Sequence, residues 1–173
     1  MVMVTIDRTR LPFRMNTEGY FLDKDGNVLA QISDKSYVVF PGGGIDEGEM
    51  PEESIIRETL EETGAIVVKP LKLVSKLQIV WGPNWAKTDK QKLRYNKFKG
   101  DEMYFFCGTI HHFEENSKTL EDTWKGEKLM SLNEAISFLE KGKPFSEDVK
   151  KYRETQLIIL EKLKKKFQKG KSG

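Results

Sequence analysis

Four charged residues within two turns of a predicted helix mark where chemistry is expected: Arg57, Glu58, Glu61 and Glu62. At about 100° per residue, Glu58 neighbours Glu62 at i, i+4 and Glu61 at i, i+3. Three carboxylates so close repel one another at neutral pH, an arrangement that makes sense around a hard divalent cation. Mg²⁺ prefers oxygen ligands, keeps several waters and bridges carboxylates to substrate phosphates. Arg57 can reach forward to Glu61, or back to a carboxylate of the preceding segment such as Glu49. Ahead of the helix, Pro41-Gly42-Gly43-Gly44 frees the backbone for close approach to another group. Glu and Arg on a helix ordinarily form a solvated face. The glycine loop, the fixed spacing and the paired glutamates together set this helix apart.

These residues need a helix and strands to hold them. Pro51 suits a first helical turn, Glu52 and Glu53 complement its dipole, and Gly64 stops it. Ile55, Ile56 and Leu60 supply its apolar stripe, with Thr59 and Thr63 completing the buried side. Upstream, Arg14–Asp23 and Val28–Asp34 flank the turn signal Asp25-Gly26-Asn27, and Ser36–Phe40 is a short strand. Downstream, Val67–Trp81 reads as one long strand or a bent pair, and Glu102–His112 as another. Residues 82–101 show no period and read as a long basic aromatic loop. Ser131-Leu132-Asn133-Glu134 opens a helix to about Lys141, and Ser146 caps a last helix over about 146–168. This order predicts an α+β fold, a mixed β-sheet between helices in an α/β/α sandwich.

The segment Gly43–Ala65 resembles the Nudix box of the Nudix hydrolases, G-x5-E-x7-R-E-U-x-E-E-x-G-U, with U a bulky aliphatic residue. Gly43, Glu49, Arg57, Glu58, Glu61, Glu62 and Gly64 all match. Thr59 and Ala65 depart at the two U positions, which bears on core packing more than on chemistry. The resemblance implies a pyrophosphohydrolase that cleaves a nucleoside diphosphate linked to another moiety, such as a nucleoside triphosphate, by attack of water at phosphorus with Mg²⁺ or Mn²⁺. It further implies that Glu58, Glu61 and Glu62 are metal ligands and that the Gly43 backbone offers a carbonyl. Glu49 and Arg57 would fix the loop against the helix. Metal-bound water becomes a nucleophile near neutral pH, and the cation neutralises charge developing on the phosphate.

A general base outside the box is expected among Glu114, Glu115, Glu121 and Glu127, with Glu121 preferred. His111 and His112 are adjacent on a strand and are expected to face opposite sides. Charge is segregated. Residues 86–99 carry six basic side chains against Asp89, and residues 150–173 carry nine against Glu154 and Glu161. Lys87, Arg94 and Tyr95 of the first stretch, with Trp81 just before it, are candidate substrate-binding residues, since rings stack on bases and cations meet phosphates. The competing reading is an insertion with solvated lysines whose aromatics cap the core. The lysine-rich end is read as a solvated helix terminus, and either stretch could steer a polyanion.

The chain has 173 residues, 38% hydrophobic and 32% charged, with a formal net charge of +2. That suits one domain over residues 1–173 with a core needing no disulfide. The lone Cys107 cannot form an intrachain disulfide, and no apolar run approaches the roughly 18–20 residues that cross a bilayer. No signal-peptide pattern opens the chain, so a cytoplasmic protein with no membrane partner is expected. A homodimer is compatible with all of this. Three functions remain in view: a nucleoside triphosphate pyrophosphohydrolase; a hydrolase of dinucleoside polyphosphates, diphosphoinositol polyphosphates or RNA 5′-triphosphate ends; and a non-catalytic nucleotide-binding module.

Overall fold

A computed structural model describes residues 6–115, 123–142 and 147–171. The strands are β1 (Phe13–Leu22), β2 (Val28–Leu29), β3 (Gln31–Ile32), β4 (Val38–Val39), β5 (Gly42–Gly44), β6 (Ala65–Val67), β7 (Lys72–Val80), β8 (Gly100–Phe113) and β9 (Leu129–Met130). The helices are α1 (Pro51–Thr63), α2 (Asp89–Lys97), α3 (Leu132–Lys141) and α4 (Glu147–Lys171).

Two long strands form the spine. β1 and β8 run parallel, from Phe13 opposite Gly100 to Leu22 opposite Thr109. The outer edge of β8 pairs antiparallel with β7 and then β6, and that of β1 with β5 and then β2, which β9 follows. Side chains alternate across a strand, so the two faces bury different sets. Tyr20, Leu22, Met103, Phe105 and Cys107 pack under α3 and α4 with Leu132, Ala135, Ile136, Leu139, Ile159 and Leu160. Phe21 and Phe106 pack on the opposite face with Ile55 of α1, Ala65 and Val67. The result is the expected mixed sheet between helices. Truncating a ring such as Phe21 to Ala should cost about 3–5 kcal/mol. No helix among the described residues is long and apolar enough to cross a membrane.

A buried carboxylate ties the α4 layer to the sheet. Glu18 on β1 accepts from the hydroxyls of Tyr20 (2.5 Å) and Tyr152 and from Gln156 Nε2 (3.2 Å). Burial pushes its carboxyl above the ordinary range despite these three donors.

Several local expectations change. The triple glycine is a strand, with Gly42, Gly43 and Gly44 opposite Glu18, Thr17 and Asn16. Glycine is needed there because a Cβ on Gly42 would fall on the Thr17 carbonyl. Residues 82–101 are not one loop. They contain α2, opened by a reciprocal capping box in which Thr88 Oγ1 accepts from the Gln91 N–H and Gln91 Oε1 from the Thr88 N–H, both at 3.1 Å. The Thr88-x-x-Gln91 signal is present in the sequence. It carries no apolar period because α2 buries none of its residues, and Leu93 is exposed. Val67–Trp81 holds one strand, β7 over Lys72–Val80, while Val67 is the last residue of β6. The last helix runs to Lys171 rather than 168, and its expected cap Ser146 lies outside the described residues.

Candidate active site

The glycine strand is flanked by opposite charges. A Cβ on Gly43 would lie 2.6–2.9 Å from the Glu58 carboxylate, and one on Gly44 would lie 2.8 Å from the Arg14 guanidinium. The backbone of β5 therefore has an anion from α1 on one face and a cation from β1 on the other. A larger residue at either position would displace one of these two side chains.

Arg57 organises the acidic face. Its Nε and Nη2 donate to the two carboxylate oxygens of Glu49 at 2.8 and 3.0 Å. Its Nη1 donates to Glu58 Oε1 at 3.0 Å and to Glu61 Oε2 at 3.2 Å. Both alternatives left open by the sequence, forward to Glu61 and back to Glu49, are realised at once. The guanidinium holds the Glu49 carboxyl down to about 2, and Glu49 in turn raises Arg57. Glu58 behaves differently. Burial pushes its carboxyl up, only partly offset by Arg57, and Glu61 and Asp46 add repulsion.

Glu62 is fixed separately. Its Oε1 accepts from the Gly42 N–H at 3.0 Å and its Oε2 from the Trp124 indole at 3.2 Å. The segment after β8 also caps α1, whose last carbonyls have no helical donors. Thr123 Oγ1 donates to the Glu61 carbonyl, the Trp124 N–H to Glu62 and Lys128 Nζ to Thr63.

The NUDIX domain family matches residues 13–152, spanning the whole sheet and the box. The chain belongs to the Nudix family. It is 36% identical over 123 residues to an RNA pyrophosphohydrolase of Cereibacter sphaeroides strain KD131, covering 62% of this chain and 75% of that one. An RNA pyrophosphohydrolase of Helicobacter pylori is 33% identical over 76 residues, covering 42% and 44%. Among solved structures, a NUDIX hydrolase from Nitrosomonas europaea superposes with a TM-score of 0.56 at 14% identity, covering 91% and 90%. The MutT protein from Bacillus halodurans gives 0.53 at 23%, covering 73% of each chain. These structural likenesses show the fold. Membership carries the enzyme class expected from the box, a hydrolase of phosphoanhydride bonds, in a family that generally uses divalent metal ions.

Within this Nudix fold, the donor set suits a hard cation. Glu58, Glu61 and Glu62 offer only oxygen, and the absence of a side chain at Gly43 lets the Glu58 carboxylate approach the β5 backbone closely. Among the described residues no three acidic, His or Cys side chains gather on one point as a ready metal cluster. The glutamates are instead directed to Arg57, Gly42 and Trp124.

The predicted substrate residues divide. Trp81 is buried, donates its indole N–H to Asp101 Oδ2 at 3.0 Å and stacks on Trp85 with centroids 3.7 Å apart. Asp101 also accepts from Asn16 Nδ2 at 2.7 Å and lies 3.9 Å from Arg14. Arg94 acts electrostatically on both Arg14 and Asp101, and Lys87 lines a pocket with Trp81. Tyr95 is elsewhere engaged, with the Arg8 guanidinium 3.2 Å over its ring. Arg14, Asp101 and Trp124 were not singled out in the sequence. Each acts through a partner on another strand or helix, and no spacing announces that.

Glu121 lies outside the described residues. Glu114, Glu115 and Glu127 border one cleft with Thr63 at the C-terminal end of α1. His111 and His112 do not face opposite ways. Their rings meet edge to face at 4.8 Å with Nδ1 atoms 2.5 Å apart, because β8 is bulged there: Ile66 pairs with His112 but Val67 with Ile110, which leaves His111 as an extra residue.

Proposed function

We propose that this protein is a Mg²⁺- or Mn²⁺-dependent pyrophosphohydrolase acting on a nucleoside triphosphate or another nucleoside diphosphate derivative. The observation that carries the reading is the glycine strand between Glu58 and Arg14, an acidic metal-binding face backed by a phosphate-binding cation. Glu58, Glu61, Glu62 and the Gly43 carbonyl would hold the cation, which when bound activates water and neutralises phosphate charge. Arg57 keeps Glu49, Glu58 and Glu61 in register. Arg14, joined by Arg94, binds the phosphate chain as it approaches Gly44. Glu58 Oε1 is held by Arg57, so Oε2 is the atom suited to take a proton from the attacking water.

A hydrolysis screen tests this over nucleoside triphosphates, ADP-ribose, dinucleoside polyphosphates and 5′-triphosphorylated RNA with each metal. Glu61→Gln and Glu62→Gln should each cut turnover by orders of magnitude with the fold intact, and undiminished activity would overturn the assignment.

A second reading, the 5′-triphosphate end of an RNA, is favoured by the six basic side chains of residues 86–99 and by the names of the bacterial relatives. Neutralising Lys87, Lys90, Lys92 and Arg94 together should then raise KM for RNA in a salt-dependent way. An unchanged KM would remove this reading.

A further inference from the structure

A pocket of about 590 Å³ opens on the α4 side of the sheet, between the end of β7, the turn leading to α2 and the first turn of α4. Small-molecule sites span roughly 300–1,000 Å³, so the volume is sufficient for a nucleobase. Its walls include Trp81, Trp85 and Tyr152, and its polar groups are Asn84, Asp101, Asp148 and Lys87. The two indoles lie 2° from parallel, with Trp81 buried beneath and anchored by Asp101. Trp85 is only half-buried, so its outer face is the surface on which a further flat ring extends the stack.

The polar groups decide which ring. Ionised carboxylates only accept hydrogen bonds, Lys only donates, and the Asn84 amide does either and so selects no base. Neither Asp148 nor the Lys87 ammonium has a side-chain partner among the described residues. The matching ligand edge has adjacent N–H donors beside one acceptor. Guanine has this edge: N1–H and the 2-amino group side by side, with O6 next to them. Adenine and cytosine place a ring nitrogen lone pair next to their single amino group, and uracil places one N–H between two carbonyls. A route to the box also exists. Asp101 contacts Asn16 and Arg14 on β1, and Arg14 lies against Gly44.

We propose that this pocket binds the guanine base of the substrate, with Trp85 as the stacking platform, a carboxylate on N1–H and the 2-amino group, and Lys87 at O6. This rests on the nucleotide pyrophosphohydrolase reading and names its base.

Steady-state kinetics with GTP, ITP and ATP test it, ITP lacking only the 2-amino group. We expect kcat/KM to fall by about tenfold from GTP to ITP and further to ATP. Asp148→Asn should shrink the GTP-over-ATP ratio severalfold, and Trp85→Ala should raise KM for GTP more than it lowers kcat. Calorimetric titration with GMP and AMP, which contain no pyrophosphate bond, provides a readout independent of turnover. GMP should bind more tightly, and Trp85→Ala should weaken it. Hydrolysis with equal kcat/KM for GTP and ATP, or a ratio unmoved by Asp148→Asn, would overturn the guanine site and leave the enzyme reading standing. Preferential GMP binding without hydrolysis of any nucleotide would leave the site standing and remove the enzyme reading. Equal or absent binding of both mononucleotides would overturn the site whatever the activity.

Discussion

Trp124 clamps Glu62 twice across 62 residues of sequence, its indole donating to the carboxylate at 3.2 Å and its backbone N–H to the carbonyl at 2.8 Å. Trp124→Phe keeps the ring in the core beside Phe21 and Phe106 but deletes the donor. Positioning bonds to metal ligands are typically worth about 10–100-fold in affinity or activity. The expected result is a higher metal concentration for half-maximal activity, with stability lowered by about 1 kcal/mol. A metal titration with the variant checks this, and an unshifted titration would make Trp124 a packing residue only.

Gly43→Ala would drive a methyl group into the Glu58 carboxylate, 2.6 Å from its carbon. Either β5 separates from α1 or Glu58 rotates away, and both spoil the acidic face. Activity should fall sharply while circular dichroism still reports a folded sheet. Wild-type turnover in this variant would mean that the close approach has no bearing on the reaction.

Thr59 occupies a fully buried core position, and its Oγ1 has no hydrogen-bond partner among the described residues. A buried hydroxyl without a partner costs about 1–3 kcal/mol. Thr59→Val replaces it with a methyl group of similar shape, so the variant should be about 1 kcal/mol more stable. Urea unfolding monitored by tryptophan fluorescence measures this. Destabilisation would point to a partner for Thr59 that the folded chain acquires in solution.

Two carboxylates should bend stability with pH in opposite directions. Arg57 depresses Glu49 from 4.5 to about 2, so its contribution is complete above the unfolded value and is lost as pH falls through the folded one. Glu18 is raised by burial, so in the window above 4.5 the native state holds a proton that the unfolded chain has released. Stability therefore falls as pH rises through that window. Thermal melts against pH should flatten on the acid side in Glu49→Gln. In Glu18→Gln they should lose the decline above 4.5. Identical profiles for wild type and both variants would remove both assignments.

How much was legible beforehand varies by element. The box was readable because its chemistry is local. Glu58, Glu61 and Glu62 lie within two turns of one helix, and Arg57 reaches Glu49, Glu58 and Glu61 from a single position. Arg14–Asp23 was readable as a strand from its turn signal, but that Tyr20 and Leu22 face one helix layer and Phe21 the other is visible only in the fold, where helices cover both faces of the sheet. α2 escaped periodicity because it buries nothing, although Thr88 and Gln91 marked its start.

The sequence by itself thus determined the family, the reaction class and the cluster of glutamates proposed as ligands, all of which rest on neighbours a few residues apart. Only the tertiary structure decided what surrounds them. It turned the triple glycine into a paired strand, set Arg14 against Gly44, brought Trp124 to Glu62 and placed Arg8 rather than open solvent over Tyr95. These contacts join distant strands and helices, brought together by the pairing of β1 with both β5 and β8 and by the packing of helices and loops around that sheet. Local spacing is written along the chain, whereas strand registers such as these emerge only when both faces of the sheet are buried at once.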